Sequence, residues 1–330
     1  MRWHAVTRHL ATLVGTGMIL LFFSEFFFLN ETPVATVVGL LGERDVLGLA
    51  AALGEFVLFY TLFAYALLGS LQWFSVRTIT DLFLVGALVG WAIEGIIIPL
   101  VYEAVPVSIV WPSVAWHSLV DVLLGWYLLR RLMRSDRGWR AVVAFALAGI
   151  AWGAWATWLW TDPERLQPLE PGAFAAYAAT TSTLWILGMA LVDQAGTTSL
   201  RVSRWEARTW LVLGGASAVF MAASALPLSL AIVPFLWLTI RALRRPTDTI
   251  GEELVTHLTA RPPWPRYLAA AVTPTAAIAV YALLYARQWA VPSEDVVVML
   301  LLVGSVWLLV AWRRAFRRTD GPAAAHEQPG

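Results

Sequence analysis

Seven ionisable side chains fall inside long apolar runs of the chain: Glu25, Glu55, Asp81, Glu94, Asp121, Asp193 and His117. A charge near the centre of a bilayer costs roughly 2.5–3.5 kcal/mol even on the lenient insertion scale, so such groups face other helices and usually serve function. Their chemistry is proton transfer, cation binding or metal ligation. Ser113, His117, Asp121 and Gly125 recur every four residues and share one helical face. His117 and Asp121 lie one turn apart, so the carboxylate can orient the imidazole. Ser113 or Ser118 beside that pair resembles part of a nucleophilic constellation, although a serine there also serves helix packing. Gly86, Gly90 and Glu94 have the same spacing, and two glycines on one face let a neighbouring helix come close. Pro99 removes the helical bond to the carbonyl of Gly95, which loosens the chain just past Glu94. Asp81 and Asp193 differ from the rest. They lie near span ends, within reach of water or an arginine.

The elements that must position these groups follow from composition. The chain has 330 residues, of which 59% are hydrophobic and 14% charged. Ordinary globular chains have about 45–50% and 25%. The mean hydropathy is +0.69. There are no cysteines, and all 23 basic residues are arginine. Disulfides, thiolate metal sites, lysine Schiff bases and P-loops are excluded. A cytosolic enzyme and a nucleic-acid binder are excluded with them. The reading is an all-α, polytopic integral membrane protein of the bacterial inner membrane.

A hydrocarbon core of about 30 Å takes about 20 apolar residues per helix. Ten segments qualify: 9–30, 46–72, 79–102, 107–130, 139–160, 171–194, 209–225, 227–243, 267–287 and 296–313. The first is read as a retained span, since it is too long for a signal-peptide core. With both termini cytoplasmic, only Arg44, Arg165 and Arg287 fall outside, and the other 20 arginines fall inside. Tryptophans at span ends, among them Trp73, Trp139, Trp205, Trp264 and Trp289, suit an interfacial belt. Trp152, Trp155 and Trp158 form a stripe on the fifth helix that suits packing, with a cofactor stack as the alternative. Residues 33–42 are apolar but too short to cross. Residues 246–265 form a cytoplasmic loop in which Ile250, Leu254 and Leu258 suggest an amphipathic helix on the inner surface. The division is a four-helix module at 1–135, a six-helix module at 136–318 and a disordered tail at 319–330.

At 1.5 Å per residue, Glu25 lies about 6–8 Å below the outer edge, Glu94 about 12 Å, Glu55 about 13 Å, His117 about 15 Å and Asp121 about 21 Å. Four helices thus bring Glu25, Glu55, Glu94, His117 and Asp121 to neighbouring levels. Three acids close together cannot all be charged in a low dielectric. At least one of Glu55 and Glu94 is expected to hold a proton unless a cation sits between them.

That cluster supports three functions. A transporter coupled to protons or a cation would use it as a relay or binding site for a small molecule. An intramembrane enzyme acting on a lipid-like substrate could use Glu25, Glu55, Glu94 and His117 to hold a divalent metal; no other cofactor is indicated. A non-catalytic assembly subunit would use the groups only as polar ties between helices, though such ties average only about 0.6 kcal/mol. Oligomeric state is left open. The topology carries its own test. A cysteine introduced by Leu166→Cys should react with an impermeant reagent in intact cells, and reaction only after lysis would overturn the orientation.

Overall fold

The computed structural model describes residues 2–97, 99–160, 168–196, 203–244 and 254–317, and no strand occurs among them. The chain opens with α1 (Arg2–Leu21), which continues as a π-helical segment over Phe22–Phe27. Next come α2 (Glu31–Glu43), α3 (Val46–Phe74) and α4 (Ile79–Ala92), the last continued by a second π segment, Ile93–Ile97. The short α5 (Val107–Val110) precedes a long π segment, Ser113–Leu128, and α6 (Leu129–Met133). The remainder is α7 (Gly138–Trp155), α8 (Pro171–Ala195), α9 (Arg204–Ser224), α10 (Ile232–Leu243), α11 (Pro265–Ala270), α12 (Val272–Arg287) and α13 (Ser293–Arg317).

Seven stretches are long and apolar enough to cross a membrane: Val6–Phe27, Val46–Phe74, Val107–Met133, Gly138–Trp160, Pro171–Ala195, Pro265–Arg287 and Ser293–Arg313. Three expected segments are not among the seven. Segment 79–102 leaves helical geometry near Pro99 and passes into a 3-10 turn, Pro99–Tyr102. Segments 209–225 and 227–243 are shorter apolar helices, Leu211–Ser224 and Leu228–Leu243. Apolar side chains such as Leu58, Phe220, Leu302 and Leu309 point outward, as a bilayer-facing surface requires.

α1 packs against both α8 and α3; α7 packs against α12 and α4 against Ser113–Leu128. Small residues set these distances. A Cβ added at Gly90 would lie 1.9 Å from the carbonyl oxygen of Ser113 and 3.0 Å from the Cβ of His117. At Gly86 it would lie 2.9 Å from the Cα of Ser118. The glycine face of α4 is therefore the surface on which the histidine-bearing helix rests, as the spacing implied.

Two expected non-spanning features have defined places. The apolar stretch after the first span is α2, 13 residues long, with Pro33, Val34 and Val37 buried. Residues 245–253, which include Ile250, lie outside the described residues. The rest of that loop does not lie free on a surface. Leu254 and Leu258 are buried in the protein, and the Leu254 N–H donates to the carbonyl of Val76 at 3.0 Å. A docked loop buries these leucines against the protein instead of against lipid.

Asp81 and Asp193 behave as span-end groups. Asp81 forms a capping box with Thr78 at the start of α4. Asp193 is fully desolvated and bound on both oxygens. Its Oδ1 accepts from Arg130 Nη2 at 2.8 Å and Arg134 Nη2 at 2.5 Å, and its Oδ2 from the Tyr267 hydroxyl at 2.8 Å. Arg134 Nε also donates to the carbonyl of Ala260 at 2.7 Å, so the cluster ties the 254–261 loop to α6 and α8. Removing one partner of a buried pair strands the other charge. Asp193→Asn should cost about 3–5 kcal/mol, measured by thermal or denaturant unfolding in detergent.

Candidate functional site

The site is built where three helices abandon α-geometry. Ser24 and Glu25 lie in the π segment after α1, Glu94 in the one after α4, and His117 and Asp121 in Ser113–Leu128. Each π turn inserts a residue and frees backbone groups, and such turns recur at functional sites. The freed groups here have named partners. The carbonyl of Glu25 accepts from the N–H of Asn30 at 2.9 Å. The carbonyl of Phe23 accepts from Trp116 Nε1 at 3.0 Å and that of Phe26 from the Tyr177 hydroxyl at 3.0 Å. The carbonyl of Phe28 accepts from Trp155 Nε1 at 2.8 Å and Trp158 Nε1 at 3.1 Å. The carbonyl of Gly95, left free by Pro99, faces the Tyr102 hydroxyl at 3.4 Å. The tryptophan stripe on α7 is thus a packing element. It finishes the broken end of α1 and fixes the direction of Glu25.

Against this frame, His117 sits between two carboxylates. Its Nε2 is 2.8 Å from Glu94 Oε1 and its Nδ1 is 2.6 Å from Asp121 Oδ2. All three are buried, with exposures of 3% for His117, 6% for Glu94 and 1% for Asp121. Each contact needs one proton between its heavy atoms. Either the imidazolium donates both, or a carboxyl donates one. Ser24 Oγ is 3.3 Å from the same Nδ1. Tyr60 then links Ser24 to Glu25: its hydroxyl is 2.8 Å from Ser24 Oγ and bonds Glu25 Oε1 more closely still. A phenol has one proton, so the two Tyr60 bonds are alternatives unless Ser24 donates to the phenol oxygen. Asp121 and Ser24 share Nδ1, so those two bonds are alternatives as well, and the result is one polar network from Glu94 and Asp121 through His117, Ser24 and Tyr60 to Glu25. Glu25 is half-buried and forms its most exposed end.

Four of the five expected residues are brought together; Glu55 is not. It is exposed on the outward face of α3 with Leu58 and Leu62, while Tyr60 and Ala64 face inward. The expectation failed because depth along a helix does not say which face a residue takes, and Glu55 lies on the outward one. Tyr60, about 7.5 Å further along the 29-residue α3 and on the opposite face, takes the place at the cluster. The proposed metal set of Glu25, Glu55, Glu94 and His117 falls with Glu55. Among the described residues no three His, Asp or Glu side chains converge as a metal site. The nucleophilic alternative also changes. Ser118 donates to the carbonyl of Phe83 at 2.9 Å, which is packing. Ser24 does reach the histidine, at 3.3 Å on Nδ1 with Glu94 on the opposite nitrogen, but Asp121 holds that same Nδ1 more closely, at 2.6 Å. A serine–histidine–acid triad needs the serine-facing nitrogen free to take the hydroxyl proton, and here Asp121 competes for it.

Ser24 and Tyr60 were the residues missed. Ser24 had a signal, since Ser24-Glu25 is a polar pair inside an apolar run. Tyr60 had none, because a tyrosine in an apolar helix reads as packing. His9 lies 3.6 Å from Glu206 on α9.

No protein-family model, curated protein or solved structure matches this chain, so function is argued from the site itself. Glu55→Gln should leave unfolding in detergent within about 0.5 kcal/mol of wild type, the usual range for a surface change. Tyr60→Phe removes the donor to a buried carboxylate oxygen and should cost about 1–3 kcal/mol in the same assay.

Proposed function

We propose that the protein is a proton-coupled membrane transporter whose coupling element is the chain Glu94–His117–Ser24–Tyr60–Glu25 with Asp121. The observation that carries the reading is His117 held between carboxylates from two helices and joined, through two hydroxyl groups, to a third, half-buried glutamate. Three carboxylates share one imidazole, and the described residues bring them no other cation. In a low dielectric that set is held together by bound protons, and gaining or losing one changes which helices are tied. Serine and tyrosine hydroxyls can each accept and donate, so they pass a proton without leaving their helices. Paired ionisable groups in membrane helices are the expected parts of such a relay. The interruption of α-geometry in the three helices that carry the site supports the reading. An enzyme is less well supported, since the metal set is not assembled and the histidine nitrogen that faces Ser24 is held more closely by Asp121.

The topology we propose for this function has ten crossings. It adds segments 79–102, 209–225 and 227–243 to the seven long helices. Both termini are cytoplasmic in a bacterial inner membrane, and the 20-to-3 arginine asymmetry supports that orientation. The substrate is a small molecule.

In proteoliposomes with an imposed pH gradient, wild-type protein should dissipate the gradient faster than empty vesicles, read with an internal pH dye. Glu94→Gln keeps size and hydrogen bonding but not the titrating group. It should return the rate to that of empty vesicles while still folding. Equal rates for wild type and variant would overturn the relay. A variant that cannot fold would favour a structural role.

A further inference from the structure

We infer that the substrate of this site is an organic cation, a protonated amine or a larger ammonium-like group, taken up in exchange for protons; the inference rests on the proton-coupled reading above.

The first argument is charge. The whole chain lacks lysine, and the arginines that the fold does bury, Arg130 and Arg134, are committed to Asp193. Among the described residues the one cationic group at the site is His117, already between two carboxylates. With every acid ionised there are three negative charges against one positive. An anion would meet no free cation here. A positive group would replace the protons that the carboxylates otherwise hold.

The second argument is the unused hydrogen-bonding capacity. Glu94 Oε2 and Asp121 Oδ1 are buried acceptors with no partner. Ser113 Oγ is also buried without one; it sits one turn before His117, and both residues press on Gly90. Buried polar atoms without partners are rare in folded proteins and ask for an explanation. Two carboxylate oxygens and a hydroxyl call for a donor, which N–H groups supply.

The third argument separates an organic cation from a metal ion. A hard ion needs several oxygens at one point. Among the described residues no such convergence exists, and both nitrogens of His117 are occupied. The surroundings are aromatic instead. Phe26 follows Glu25 directly and lies edge-on to Phe56 at 6.3 Å and Tyr177 at 6.1 Å. The Tyr60 ring is edge-on to Phe59 at 5.9 Å. Phe56, Phe59 and Glu25 are half-buried and lie together on the α1–α3 side, and Glu25 Oε2 is a further buried acceptor without a partner. A ring face adds about 0.5–2 kcal/mol for a cation that has shed its water. It offers little to a hydrated metal ion.

The groups that titrate or carry charge toward this site are Glu25, Tyr60, Glu94, His117, Asp121 and Tyr177. The neighbouring α9 and α13 carry theirs in end turns, with Glu206 and Arg208 on one and Glu294, Asp295 and Arg313 on the other. Proton competition therefore reports on the cluster.

The probes are tetraphenylphosphonium and tetraphenylborate, which share shape and differ in sign. They are titrated by calorimetry into purified full-length protein in detergent, with a pH indicator in weak buffer. The phosphonium should bind saturably at pH 8, release protons, and bind more weakly at pH 5.5. The borate should show only partition into micelles. Glu94→Gln and Glu25→Gln should each weaken phosphonium binding by about tenfold or more, as loss of a charged partner does. Glu25 is less buried than Glu94, so its variant keeps the test decisive if Glu94→Gln does not fold. Equal binding of both probes would overturn the inference. So would absence of phosphonium binding to protein that still dissipates a pH gradient, and the relay would then stand alone. Phosphonium binding that is saturable but independent of pH, with no proton released, would overturn the exchange and the coupled reading with it.

Discussion

A charged group buried in a helical bundle must bring its partners with it, and His117 shows what that demands. Its two nitrogens take carboxylates from two helices, Glu94 and Asp121, at hydrogen-bonding distance. For this to happen the histidine helix must lie almost on the backbone of α4, which only Gly86 and Gly90 permit. The helices must also turn their polar side chains to one point, which the π segments at Glu25, Glu94 and His117 do. Remove the ion group and there is no physical reason for three neighbouring helices to leave α-geometry at one level.

The cost of that departure falls on the backbone. Carbonyls at the end of α1 lose their helical partners in a region without water, where each orphan is expensive. Indole and phenol side chains from three other helices supply the donors: Trp116, Trp155, Trp158 and Tyr177. The aromatic richness of the chain thus has two physical roles. Some tryptophans, such as Trp205 and Trp289, stand exposed at helix ends. Others finish broken helices and hold the site rigid.

The same helix carries a second ionic layer. From Asp121 to Arg130 is nine residues, on the order of 13 Å along the axis. There Asp193 gathers Arg130, Arg134 and Tyr267 and anchors the 254–261 loop. The two layers differ in composition. The Asp193 layer has more cation than acid and is fully hydrogen-bonded at its carboxylate. The His117 layer has more acid than cation and keeps acceptor oxygens without partners. A carboxylate with both oxygens bonded suits holding, and carboxylates with open oxygens suit binding.

The amino-acid sequence by itself determined the class of protein, because composition and run length are local properties that the bilayer reads directly. It also determined the Gly86–Gly90–Glu94 and Ser113–His117–Asp121 faces, since i, i+4 spacing survives in any helix. The loosening after Glu94 was legible in Pro99, and the structural use of Asp81 and Asp193 in their nearness to span ends. Only the tertiary structure decided which residues from different helices meet. Glu55 and Tyr60 lie on one helix five residues apart, and hydropathy cannot say which faces the neighbour. The packing of α1 against α3 gives the place to Tyr60 and leaves Glu55 outside. The π turns were hidden for the same reason: they are set by the bonds that distant tryptophans and carboxylates offer, not by any local preference of the residues that form them.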